Sequence, residues 1–254
     1  TLSSSSAASD VYKRQPTIKG KSHVYIAKGG TPEQNVEKVI QMMGGIQSIV
    51  KADDTVIIKP NGQWIDPGYG TSVKALKKLI DLILAHPSSF VGEIVICENT
   101  HCRGTNANCD NYRALVNSYG RNNISFIAWS KQGSYVVEGY HDAAELSYPV
   151  FTTPLGTYIN FKTSKFKFIN FPAAKTHSVG KVTCCIKNFL GVVRNPGLSE
   201  TDSRGCGGEP ASGGFHGPNW SGYWMYAAIA DFMRRVRKPD LNIVDGTYMA
   251  DYSY

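Results

Sequence analysis

The chain predicts an α/β protein whose mainly parallel sheet carries helices on both faces. Three observations carry that prediction. From residue 24 onward, short apolar runs alternate with segments of helical apolar spacing. Several runs are almost wholly apolar, as strands buried on both faces are. Lysine, asparagine, histidine and carboxylate residues follow those runs, at the edge where α/β sheets bind ligands. An irregular antiparallel insertion and a long glycine-rich loop interrupt the alternation.

The elements follow in order. Residues 24–27 (VYIA) read as a first strand. Thr31 with Pro32 starts a helix along which Val36, Val39, Ile40 and Met43 recur, and Gly44 and Gly45 end it. Residues 55–59 (TVIIK) are a buried strand, and Val73, Leu76, Leu79, Ile80 and Ile83 mark the next helix. Residues 93–98 (EIVICE) are another strand, 111–119 a short helix and 124–128 a strand. The Tyr- and Thr-rich stretch 135–160 reads as the antiparallel insertion. Residues 167–171 (KFINF) are a strand, and a helix is expected over 182–189. The glycine-rich stretch to Asn219 is too long for an ordinary loop and reads as a lid, a ligand-ordered segment or disorder. A helix capped by Ser221 runs to Arg237, and residues 241–244 (LNIV) are the last strand before Asp245 and Gly246.

Composition narrows the classes. With 254 residues, 42% hydrophobic and 19% charged, the chain has the make-up of a folded domain that needs neither disulfides nor a structural metal to bury a core. Its longest apolar run, 224–230, falls far short of the roughly 20 residues of a membrane span. The +7 charge is scattered apart from Arg234, Arg235, Arg237 and Lys238, which fits a solvated surface or a small anionic ligand better than nucleic acid. The six cysteines show no two-residue gap of a zinc, redox or cluster motif, and Cys184 and Cys185 read as small buried hydrophobes on different faces of a helix. Six free thiols favour a reducing, cytoplasmic setting. Residues 1–15 contain SDVYKRQ, which resembles a translated sequencing-transposon end, so they are expected to be non-native. One α/β domain is then expected over 16–254, cut short at its carboxyl end.

Four strand ends deliver candidate site residues. The first gives Lys59 and Asn61, the second Glu98, the third Lys175, Thr176 and His177, and the last Asp245. The segment KTHSVGKVTCCIKNFLG at 175–191 adds Ser178, Lys181, Thr183, Lys187 and Asn188 around an expected helix start, where amides and lysines attract a carboxylate or phosphate. Solvated lysines and a capping Thr183 are the plain alternative. His177 could serve as acid, base or metal ligand, or as a structural donor. Glu98 suits a general base or a hydroxyl acceptor, or else caps a turn. Asp245 suits a metal or hydroxyl ligand, or an Asp-Gly turn. His101 and His216 are weaker candidates, and the paired glycines match neither the dinucleotide nor the Walker pattern.

Three segments, VIIKPNGQWIDPGYGTS at 56–72, INFPAAKTHSVGKVTCCIKNFLG at 169–191 and KPDLNIVDG at 238–246, together resemble the family called domain of unknown function 362. By that resemblance Lys59, Asn61, Lys175, His177, Lys187, Asn188 and Asp245 match motif positions. The family implies an α/β domain, sometimes joined to a ferredoxin-like iron–sulfur module, and no established reaction. A fainter resemblance is to nickel-pincer lactate racemases, through His101 in THCR and His177 ten residues before Lys187. That family's serine- and glycine-rich link is replaced here by VGKVTCCI, which argues against the nickel-pincer nucleotide. The expectation is therefore an enzyme acting on a small anion, with His177, Lys187 and Glu98 in the chemistry and Lys59, Asn61, Lys175, Thr176, Lys181, Thr183, Asn188 and Asp245 binding the substrate. The alternative is a binding module for a ferredoxin-like domain or partner carrying an iron–sulfur cluster.

Overall fold

The computed structural model describes residues 22–62, 69–98, 109–128, 134–138, 145–177, 181–192 and 222–248. Its centre is a five-stranded, wholly parallel sheet. The strands are β1 (Thr55–Pro60), β2 (Glu93–Glu98), β3 (Ile124–Ala128), β7 (Lys167–Phe171) and β10 (Leu241–Asn242), in the spatial order β10-β7-β1-β2-β3. The chain fills the sheet from β1 outward through β2 to β3, then returns to the other side of β1 with β7. The order therefore reverses between β1 and β7, and the connections leaving those two strands diverge and open a crevice at their carboxyl ends.

The sheet buries both faces because its strands are apolar at every step rather than at alternate ones. Val56, Ile58, Ile94, Ile96, Ile169 and Phe171 point to one face and join a core with α1 (Pro32–Met42), α2 (Val73–Leu84) and α3 (Cys109–Ser118). Ile57, Val95, Cys97, Ile127 and Phe168 point to the other. They pack against α5 (Gly222–Arg235) and an antiparallel sheet of β4 (Ser134–Glu138), β5 (Glu145–Thr152) and β6 (Tyr158–Asn160). The antiparallel insertion expected over 135–160 is this small sheet. Phe161, Phe166, Phe168, Phe189 and Phe232 form a run of tilted and edge-to-face rings that ties β7 to α5.

Helix α1 begins as its sequence demands. The Thr31 side chain accepts from the Gln34 amide while the Gln34 side chain accepts from the Thr31 amide, with Pro32 in the first turn.

Three expectations need correction. Residues 24–27 form no strand; Val24 and Ile26 are largely exposed and find no sheet edge to pair with. The helix expected over 182–189 is instead a hairpin followed by a single turn. β8 (Lys175–His177) pairs antiparallel with β9 (Lys181–Thr183), and α4 (Cys185–Asn188) continues as a 3₁₀ turn to Gly191. Val182 and Thr183 are β-branched and pair more readily than they coil. The strand expected over 241–244 pairs only through Leu241 and Asn242, after which a parallel bridge joins Asp245 to Ala173.

Candidate functional site

The register of the central strands builds the site. Lys59 of β1 stands beside Asn170 of β7, and Asn170 beside Asn242 of β10, so three polar side chains form a row across an otherwise apolar sheet. Asn188, on α4 above that row, completes a ladder. The Asn170 amide nitrogen donates to Asn242 Oδ1 (2.8 Å) and to the Cys185 carbonyl (3.0 Å). Asn188 Nδ2 donates to Asn170 Oδ1 (2.8 Å) and to the Lys59 carbonyl (3.2 Å), and Asn188 Oδ1 accepts from Lys59 Nζ (3.1 Å).

Lys59 is 2% exposed, and its three protons are all taken. They go to Asn188, to the Pro60 carbonyl (2.8 Å) and to the Glu98 carboxylate, whose oxygens lie 2.8 and 2.9 Å away. Glu98 also accepts from the Gly62 amide at 2.8 Å. A buried ion pair holds only where such hydrogen bonds meet the remaining demands of both charges. Gly191 closes over the pair: a β-carbon there would lie 2.5 Å from Lys59 Cε and 2.8 Å from Glu98 Oε1, so this position has room only for hydrogen.

Beyond that neutral pair stand two further ammonium groups. Lys175 of β8 is buried, donates to the Tyr69 carbonyl at 2.8 Å and lies 6.0 Å from the centre of the Tyr69 ring. Burial pulls its pKa from 10.5 down to about 8, aided by the charge of Lys187 and, more weakly, of Lys59, against the opposing pull of Glu98. Lys187 of α4 is likewise held at about 8 by burial. Among the described residues Lys187 makes no ion pair or hydrogen bond. Among the described residues, three cations and one carboxylate thus share this neighbourhood, an excess of positive charge when all are ionised.

The other candidates take separate places. Thr183 donates to the Lys175 carbonyl at 3.1 Å, which fixes the hairpin; being in a strand, it shares no helix face with Lys187. Thr176 pairs with Val182 across the hairpin. Backbones of His177 and Lys181 pair at its turn end, and their side chains lie outside the described residues, as do Ser178, His101 and His216. Asn61 follows β1, where its amide donates to Thr71 Oγ1 and its carbonyl accepts from the Thr71 amide and the Tyr112 hydroxyl. Asp245 is buried and accepts from the Ser72 amide (2.8 Å) and the Thr247 amide (3.0 Å), tying β10 to the start of α2.

Asn170 and Asn242 were not expected at the site. The signal was available for Asn170, a buried amide between phenylalanines and isoleucine, where a polar side chain must find partners; Asn242 is exposed and gave none. The cysteine expectations also change. Cys109 is disulfide-bonded, with its partner outside the described residues, so the expected set of six free thiols does not hold. Cys184 and Cys185 are free, half-buried and 3.8 Å apart at sulfur, rather than turned to different faces of a helix. Among the described residues no group of three His, Cys, Asp or Glu side chains is arranged to hold a metal, and no helix is long and apolar enough to cross a membrane.

The family model described as Domain of unknown function (DUF362) matches residues 56–252, a span that contains the ladder, the ion pair, Lys175 and Lys187. The chain belongs to the DUF362 family. No curated protein and no solved structure matches it. Within this DUF362 chain, the resemblance-derived positions Lys59, Lys175, Lys187 and Asn188 come together at the β1–β7 crevice, while Asp245 stands with α2 at its flank.

Proposed function

We propose that this DUF362 protein binds a small anion, a carboxylate or phosphate, at the carboxyl ends of β1 and β7, and acts on it as an enzyme. Lys187 carries the reading: it is a largely buried ammonium without a counter-charge among the described residues, in the field of a second buried ammonium, Lys175. Such an arrangement costs free energy when empty and regains it when an anion arrives. Lys59, Glu98 and Asn188 are saturated by one another and serve as the frame that holds α4 over the sheet. With pKa values of about 8, Lys175 and Lys187 keep both protonation states within reach near neutral pH, the range in which a lysine can stabilise charge or give up a proton. His177, at the hairpin's turn end, is assigned proton transfer in this reading. The alternative, docking of a ferredoxin-like domain, draws on the family resemblance rather than on any of these side chains.

Calorimetric titration at pH 7 with inorganic phosphate and with succinate tests the reading. At least one should bind, and Lys187→Met and Lys175→Met should each weaken it about tenfold or more, the loss of one charge-assisted contact. Equal affinity in wild type and both variants would remove the proposal.

A further inference from the structure

The turn that carries α4 away from the hairpin holds two adjacent cysteines that the anion site does not use. Cys184 and Cys185 are both free and half-buried, with their sulfur atoms 3.8 Å apart and hydrogen-bonded to each other. One proton shared between two sulfurs favours a thiolate on one of them. The hydrogen bond from Cys185 lowers Cys184, the less deeply buried, while that same bond, then burial and its neighbour's charge, push Cys185 up. Cys97, by contrast, is wholly buried in the sheet and its thiol is raised well above the usual range, so it is inert.

We propose that Cys184 and Cys185 form a reversible dithiol site that exchanges with low-molecular-weight disulfides and closes to a ring between neighbouring residues. The Cys184 thiolate attacks one sulfur of the small disulfide, the sulfur–sulfur bond breaks and one small thiolate leaves. Cys185 gives up its proton and its sulfur displaces the second small thiolate from Cys184, closing the protein disulfide. Two protein thiols are oxidised and one small disulfide is reduced to two thiols.

Reversibility follows from geometry. Adjacent α-carbons across a trans peptide stand about 3.8 Å apart, closer than the roughly 4.4 Å at which relaxed disulfides begin, so the ring is strained and readily reduced. The main chain at Cys185 is also held, because its carbonyl accepts from Asn170 of the ladder. The inference does not depend on what the lysines bind.

The full chain, incubated with excess oxidised glutathione and mapped by peptide mass spectrometry, provides the test. Wild type should lose two hydrogens at the peptide containing Cys184 and Cys185, carry no glutathione there, and regain them with dithiothreitol. Cys185→Ser, unable to close the ring, should retain glutathione on Cys184, whereas Cys184→Ser should react at least tenfold more slowly. A lasting glutathione adduct on the wild-type pair, no reaction there, or equal trapping by the two variants would overturn the proposal. The wild-type mass decides the matter even if a variant fails to fold.

Discussion

At Gly191 the argument is one of distance, not of backbone freedom. A methyl group would meet Lys59 Nζ at 2.7 Å and Glu98 Oε1 at 2.8 Å, and the ion pair is enclosed by Asn188, the Pro60 carbonyl and the Gly62 amide. Gly191→Ala should therefore cost about 2–4 kcal/mol, between ordinary overpacking and the loss of a buried pair, read from the midpoint of urea unfolding. A cost below about 0.5 kcal/mol would mean that the pair has room to move. Lys175 and Lys187 make a prediction of opposite character. Their folded pKa values of about 8 lie below the ordinary 10.5, so between these pH values the unfolded chain binds more protons than the folded one. Stability must then rise with pH across that window, because the cost of burying both charges is full below pH 8 and relieved above it. Read as the difference between wild type and Lys187→Met, in which the opposing raised thiols of Cys97 and Cys185 cancel, unfolding free energy should gain about 1–3 kcal/mol from pH 7.5 to 10 without added anions.

Among the elements, Asp245 shows how a strand-end carboxylate that looks like a ligand for substrate also has structural work. Its carboxylate accepts from the amide of Ser72, the residue that caps α2 by accepting from Ala75, and from Thr247 just beyond the sheet. A negative charge at a helix start is favourable, and both hydrogen bonds are to a charged acceptor. Asp245→Ala should cost about 2–3 kcal/mol in chemical denaturation, and Asp245→Asn, which keeps one acceptor oxygen, about half of that. The same scale shows what could be read from residue order alone. TVIIK, EIVIC and KFINF announced buried parallel strands because apolarity at every position has few other uses, and Thr31 with Pro32 and Gln34 announced the start of α1. The β8–β9 hairpin was not legible. KTH and KVT are three-residue strands whose pairing is decided by each other, and the lysines around them mimic a helix start. The ladder was half legible: Lys59 and Asn188 stand in suggestive motifs, but only strand register reveals that Asn170 and Asn242 complete it.

For the whole molecule, what matters is where the sheet order turns. β1 is flanked by β2, to which its own connection leads, and by β7, whose connection leads the other way to β10, so the crevice with Lys175 and Lys187 lies at the seam. An anion held there bridges segments far apart in sequence: the end of β1, the β8–β9 hairpin and α4. Binding stabilises whatever it bridges, and by linkage the gain grows with ligand concentration, reaching about 2.7 kcal/mol at a hundredfold excess over Kd. Hydrogen exchange with and without a saturating anion should therefore show slowed amides in β8, β9 and α4, whose local opening releases Lys175 and Lys187. The β3 edge, on the far side of β2, should exchange at unchanged rates unless it opens only by global unfolding. In Lys187→Met the protection of α4 should vanish while the exchange pattern of β1, β2 and β7 persists, since the ladder and the Lys59–Glu98 pair do not need the ligand. Protection confined to β3 would place the anion elsewhere and detach the lysines from its binding.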